Sequence, residues 1–200
     1  MEEHIENDIE HDHDHDHNHE HKETIKPLYR WLFTIVFVPL CLIAIRPYIV
    51  RQIDIRGQSY IGFNKYNEAI RQYKKADLLD RKNVILRNWL AYSYHMSKDN
   101  ENAIKTYSQV IEIDPDNKEA LLNLGLILAL SGKIREAIPH FEKLRQLGYK
   151  NIVQTLIVCY ERVGELDKAE NLLIEILKSD PQNKNVQNKL NEIKKKLDKK

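Results

Sequence analysis

From residue 50 onward the chain alternates apolar and polar positions at the spacing of one-sided helices, and before residue 50 it does not. Residues 1–26 carry only Ile5, Ile9 and Ile25 as sizeable apolar side chains after Met1. They cannot bury enough surface to offset the entropy of ordering, so the pattern predicts a disordered tail. Pro27 ends it, and residues 28–50, "LYRWLFTIVFVPLCLIAIRPYIV", follow. Between Trp31 and Ile45 only Thr34 is polar, and Arg30 and Arg46 bracket the run. A surface helix of a globular domain would show a polar face here, and none exists.

The run reads as a single transmembrane helix. Its fifteen residues give about 22 Å of helix, so the flanks must help to cross a hydrocarbon layer of about 30 Å. Arg30 and Arg46 have stems long enough to reach the headgroups, and Tyr29, Trp31 and Tyr48 are aromatic types favoured at the interface. Pro39 is expected to kink the helix, which a bilayer tolerates. A cleaved signal peptide would exit through small residues, but "AIRPYIV" offers no such site. A lipoprotein signal would place a small residue before Cys41, where Leu40 stands. Burial of residues 31–45 in the subunit contact of a soluble oligomeric adaptor is the remaining alternative.

Beyond residue 50 the sequence repeats. "YNEAIRQYKKA", "NENAIKTYSQV", "KIREAIPHFEKL" and "ELDKAENLLIEI" align on Ala69, Ala103, Ala137 and Ala169, which are 34, 34 and 32 residues apart. Four residues after each comes a large apolar side chain: Tyr73, Tyr107, Phe141 and Leu173. Upstream, Gly57, Ala91, Gly125 and Ile157 share one register, and Tyr60, Tyr94, Leu128 and Tyr160 another. Asp-Pro follows at 114–115 and 180–181. A fixed period of this length marks a solenoid of stacked helix pairs.

In these positions the chain resembles the tetratricopeptide repeat family, whose unit is a helix, a tight turn and a second helix. Together with the apolar run before it, the resemblance implies an all-α fold: an N-terminal transmembrane helix, then an α-solenoid of about four helix-turn-helix units, then a capping helix. The units are expected at 50–83, 84–117, 118–149 and 150–183, with a basic cap over 184–200. Small residues at Gly57, Ala91, Gly125 and the four alanines let paired helices approach, and the aromatics fill the space beside them. Pro115 and Pro181 close units because proline cannot continue the second helix. The first unit departs by carrying Arg81 where proline is expected, the third runs two residues short, and the fourth has Ile157 at a small-residue position.

The family's first helices line a concave groove, and the resemblance implies which side chains face it. On the second unit these are Ile85, Asn88, Tyr92, His95 and Met96. On the third they are Glu119, Leu122, Leu126, Ala129 and Leu130; on the fourth, Asn151, Gln154, Val158, Glu161 and Arg162. Leu122, Leu126 and Leu130, four residues apart, make one apolar stripe. Exposed, it would accept an amphipathic helix or extended apolar segment of a protein partner, with Asn88, Gln154, Glu161 and Arg162 fixing register. The alternative is that the stripe is core, covered by a neighbouring unit or the C-terminal helix. A clamp for acidic chaperone tails is not expected, because the first unit offers Asp54 and Gln58 instead of cations.

Charge and candidate chemistry add less. A formal net charge of +1 argues against a nucleic-acid partner that demands many neutralised phosphates. Outside the tail the histidines are His95 and His140, and the only cysteine besides Cys41 in the apolar run is Cys159; with one histidine on a first helix and the other on a second, no nucleophile, base and orienter can be named, so no enzyme is expected. Gly132 and Gly164 fit the turns within units. The tail itself reads "HDHDHDHNHEH" over residues 11–21. His11, His13, His15, His17, His19 and His21 would fall on one side of an extended chain, and zinc, nickel or copper suits such imidazoles. No fixed geometry is encoded, so a metal-binding or metal-responsive membrane protein acting through the tail is the second functional expectation. A single span would separate the tail from the units. With Lys22, Lys26 and Arg30 facing Arg46, Arg51 and Arg56, the charges nearly balance, and the orientation leans toward units outside the cytoplasm.

Overall fold

The computed structural model describes residues 27–198; the expected tail and its histidines lie outside the described residues. Among the described residues there are nine α-helices, one short 3-10 turn and no strand: α1 Pro27–Gly62, α2 Tyr66–Leu79, α3 Val84–Met96, α4 Asn100–Ile113, α5 Lys118–Leu130, α6 Ile134–Gln146, the turn Lys150–Ile152, α7 Val153–Val163, α8 Leu166–Ser179 and α9 Lys184–Leu197. The chain divides between Ala44 and Ile45 into two compact units.

In the first unit the apolar run is helical and exposed all along: Trp31 is 70% and Ile43 65% accessible. Within Trp31–Gly62 the best eighteen-residue window has a mean hydropathy of 2.1 and is 0% buried, enough by length and composition for a membrane span. The helical assignment continues through Pro39 and Pro47.

The second unit is the solenoid. The C-terminal part of α1 meets α2 where Gly57 and Asp54 approach Tyr73; α3 pairs with α4, α5 with α6 and α7 with α8, and α9 packs on α8. The small-against-aromatic register explains the pairing. A Cβ placed on Gly57 would stand 2.5 Å from the Tyr73 ring, and one on Gly125 2.4 Å from that of Phe141, so only glycine admits these rings. Ala69, Ala103, Ala137 and Ala169, together with Tyr73, Tyr107 and Phe141, are fully buried. Ile157, the bulkier residue that stood out in the sequence, is buried too, as is Leu173, which holds the fourth unit's aromatic position with a smaller side chain.

Turns within units need a left-handed residue, supplied by Asn64 and Lys98 in the first two and by Gly132 and Gly164, each at φ 80°, in the last two. Between units, three turns share the sequence Asp-x-x-Asn. In each the asparagine side chain caps the next helix: Asn83 accepts from Leu86, Asn117 from Ala120 and Asn183 from Val186. The remaining turn differs. Gly148 takes φ 78° there and a 3-10 turn precedes α7. Asn151, expected on the first helix of the fourth unit, therefore sits in that turn.

Candidate functional site

The helices expected to line the groove are α3, α5 and α7. On α3 the predicted residues are only partly offered. Asn88 is 5% exposed, and its Nδ2 donates to Oδ1 of Asn117 at 3.1 Å, the oxygen that also caps α5. It ties α3 to the residue that caps α5 and, at this burial, is not offered as a contact surface. Tyr92 is half-buried with its ring edge-on to Trp89, centroids 5.9 Å apart, and His95 is half-buried with Nδ1 3.0 Å from Oδ1 of Asn100. Met96 is exposed.

On α5 the leucine stripe splits. Leu122 is half-buried and packs against the core, Leu126 is 39% exposed and Leu130 81%. Their turn-mates Leu121, Leu124, Ile127 and Leu128 are buried. On α7, Gln154, Val158 and Arg162 are exposed. A groove of about 330 Å³ runs between α5 and α7, bordered by Ala129, Leu130, Ile134, Gln154, Thr155, Val158, Cys159 and Arg162. Sequence reasoning placed Leu130, Gln154, Val158 and Arg162 on this side, and the fold brings them together. It missed Ile134, which belongs to a second helix and carries no signal in the first-helix register.

Glu161 is not free to fix a ligand's register. Lys189 Nζ lies 2.9 Å from its Oε2, and Lys196 pairs with its Oε1. These hydrogen bonds hold the Glu161 carboxyl below the usual range. The expected basic cap, α9, therefore directs Lys189 and Lys196 back onto α7, and Lys194 faces Glu170 at 3.8 Å. In the first unit Gln58 donates to both oxygens of Asp54 at 3.1 Å, and Tyr73 donates to Oδ1 at 3.4 Å, so these groove positions are also engaged internally.

Little here supports acid-base or nucleophilic chemistry. Burial raises the Cys159 thiol pKa, against thiolate formation, and burial lowers that of His140. Among the described residues no group of three or more His, Cys, Asp or Glu is placed to hold a metal ion, and His11, His13, His15, His17, His19 and His21 lie outside them.

Stacked helix pairs with an open apolar ledge define an α-solenoid of the interaction-scaffold class. Three tetratricopeptide repeat profiles match, over residues 55–83, 97–132 and 128–193, and the chain belongs to the tetratricopeptide repeat family. It is similar to human aspartyl/asparaginyl beta-hydroxylase, 36% identical over 58 residues, covering 29% of this chain and 8% of that protein. It is similar to human protein O-mannosyl-transferase TMTC3, 32% identical over 110 residues, covering 54% of this chain and 12% of that protein. The chain thus spans about a tenth of these relatives' length. Among solved structures, a MamA protein aligns with TM-score 0.59 and 24% identity over 70% of this chain and 78% of the other. The Sgt2 domain from Aspergillus fumigatus aligns with TM-score 0.52 and 20% identity, covering 60% and 82%. At these identities the likeness is one of fold.

Proposed function

We propose that this chain is a membrane-anchored scaffold that seats an apolar segment of a protein partner on the ledge formed by Leu126, Leu130 and Val158, with Gln154 and Arg162 at its rim. The observation that carries the reading is Leu130. It is 81% exposed beside the groove, although the helix bearing it is otherwise buried on most sides. An exposed leucine next to Val158 and Ala129 is apolar area left over after the solenoid has closed its own core, and an amphipathic helix or extended segment would remove it from water.

The anchor rests on the fully exposed apolar run and its flanks. Cleavage of that run as a signal is disfavoured, because the helix continues into residues that build the first repeat, Gly57 against Tyr73 among them. No enzymatic step is assigned. The near-balance of flanking cations leaves the short tail to decide, which places the repeats outside the cytoplasm in this reading.

Leu130→Glu with Val158→Glu is the test. Co-purification of partners from a detergent extract is expected to fall at least tenfold, with the thermal melt of the repeats unchanged. Undiminished co-purification by a folded variant overturns the groove. Repeats sheltered from an impermeant protease on intact cells overturn the orientation.

A further inference from the structure

We propose that the first inter-repeat turn, Asp80–Asn83, docks on anionic phospholipid headgroups; this rests on the reading of Trp31–Ile45 as a membrane span. The starting point is a comparison of three turns with the same geometry. In each, the asparagine backbone N–H donates to the aspartate carbonyl, at 3.1 Å for Asn83, 3.1 Å for Asn117 and 3.3 Å for Asn183. In each, the asparagine Nδ2 donates to the aspartate Oδ2, at 3.2, 3.0 and 3.0 Å. The fold therefore fixes the outer residues and leaves the middle two free to vary. The second and fourth turns hold Pro115-Asp116 and Pro181-Gln182, whereas the first holds Arg81-Lys82. Proline is the favoured residue at the first middle position of such a turn, so arginine there gives up preorganisation and calls for another reason.

Position supplies one. Arg46 directly follows Ile45, where the apolar run ends, so the covalent chain itself fixes Arg46 at the hydrocarbon boundary. α2 runs antiparallel to the C-terminal part of α1, since Tyr73 meets Gly57 and, farther along α2, Asp80 at its end meets the earlier Arg46. There Nη2 of Arg46 lies 3.6 Å from Oδ1 of Asp80. Arg81 and Lys82, the next two residues, are thereby held close to Arg46 and to the end of the apolar run, where a cation is attracted to anionic headgroups in whichever leaflet adjoins this end of the span.

The charges that remain are of one sign. Asp80 is engaged by Arg46 and by Asn83, and Asp77 accepts from Nε of Arg87 at 2.9 Å. Arg81 and Lys82 are exposed, and neither has an ion-pair partner among the described residues; Arg51, five residues after Arg46, is exposed as well. The lysine-rich α9 differs, since Lys189, Lys194 and Lys196 all face glutamates of α7 or α8.

The full chain reconstituted into nanodiscs tests this, with phosphatidylcholine alone or with about a third phosphatidylserine, and lysine acetylation followed by mass spectrometry. Lys82 is expected to react about fivefold more slowly in the anionic discs, with the difference abolished by Arg81→Glu and reduced by raised salt. Lys150, in the turn that lacks the motif, serves as the unchanged control. Equal Lys82 rates in the two discs, or protection at Lys195 in its place, overturn the docking and leave the anchor standing. A chain that does not enter discs overturns the anchor and this proposal with it.

Discussion

Residues 121–130 of α5, "LLNLGLILAL", and residues 31–45 of α1, "WLFTIVFVPLCLIAI", are both apolar nearly all round. In α5 the neighbouring helices sort the side chains, leaving Leu121 and Leu124 2% exposed while Leu130 is 81% exposed. In the α1 stretch no such sorting occurs, and Leu32, Val36 and Ile43 are all about half exposed or more. The two stretches look alike in composition and differ in what surrounds them. In the reading proposed above, apolar area without a protein neighbour is met by a bilayer in one case and by a partner in the other.

Three experiments sharpen that contrast. The largest effect is expected from Val36→Asp with Ile43→Asp. Each charge near the centre of a span costs about 2.5–3.5 kcal/mol of insertion, so the double variant should be released by carbonate extraction. The urea midpoint of the repeats should not move; a midpoint that falls would show that the stretch is a piece of core. Next, within α5, Leu124→Ala should cost about 2–5 kcal/mol by leaving a cavity, whereas Leu130→Ala should stay within about 0.5 kcal/mol. Urea titration of both variants reads this directly, and similar losses would mean that Leu130 is covered.

The smallest effect concerns how α9 closes the array over α7. Glu161→Gln removes two ion pairs that are partly open to water, a loss of about 1 kcal/mol or less. The carboxyl is held below its ordinary value of 4.5 by its bonds to Lys196 and Lys189. Its contribution is therefore complete above that value and fades as pH falls through the lower folded-state value. The gap between wild type and variant in thermal melts should be present at neutral pH and close in acid; a gap that widens in acid would contradict the pairing.

Much of the solenoid was legible from spacing. The alanine period placed the helix pairs, and the glycine-aromatic registers at Gly57 with Tyr73 and Gly125 with Phe141 are local contacts between consecutive helices, which a 34-residue repeat encodes directly. The candidate site was less legible. Asn88 looked like a surface contact and is buried, bonded to Asn117, 29 residues on, which another helix pair brings opposite it. Glu161 looked like a reader of partners and is held by lysines of α9. Asn151 fell off its helix because Gly148 replaces the Asp-x-x-Asn turn with a left-handed residue. Ile134 reached the groove from a helix that was not expected to line it.

The sequence by itself determined the uncharged run before residue 46, the repeat period and the family, because these depend on side-chain type at fixed spacing. Only the tertiary structure decided which leucines of α5 remain in contact with water, which carboxylates are engaged by cations of other helices, and that Asp80, next to Arg81 and Lys82, stands beside Arg46. Periodicity fixes the face a residue occupies on its own helix, whereas burial and free charge depend on the residues that other helices bring opposite it.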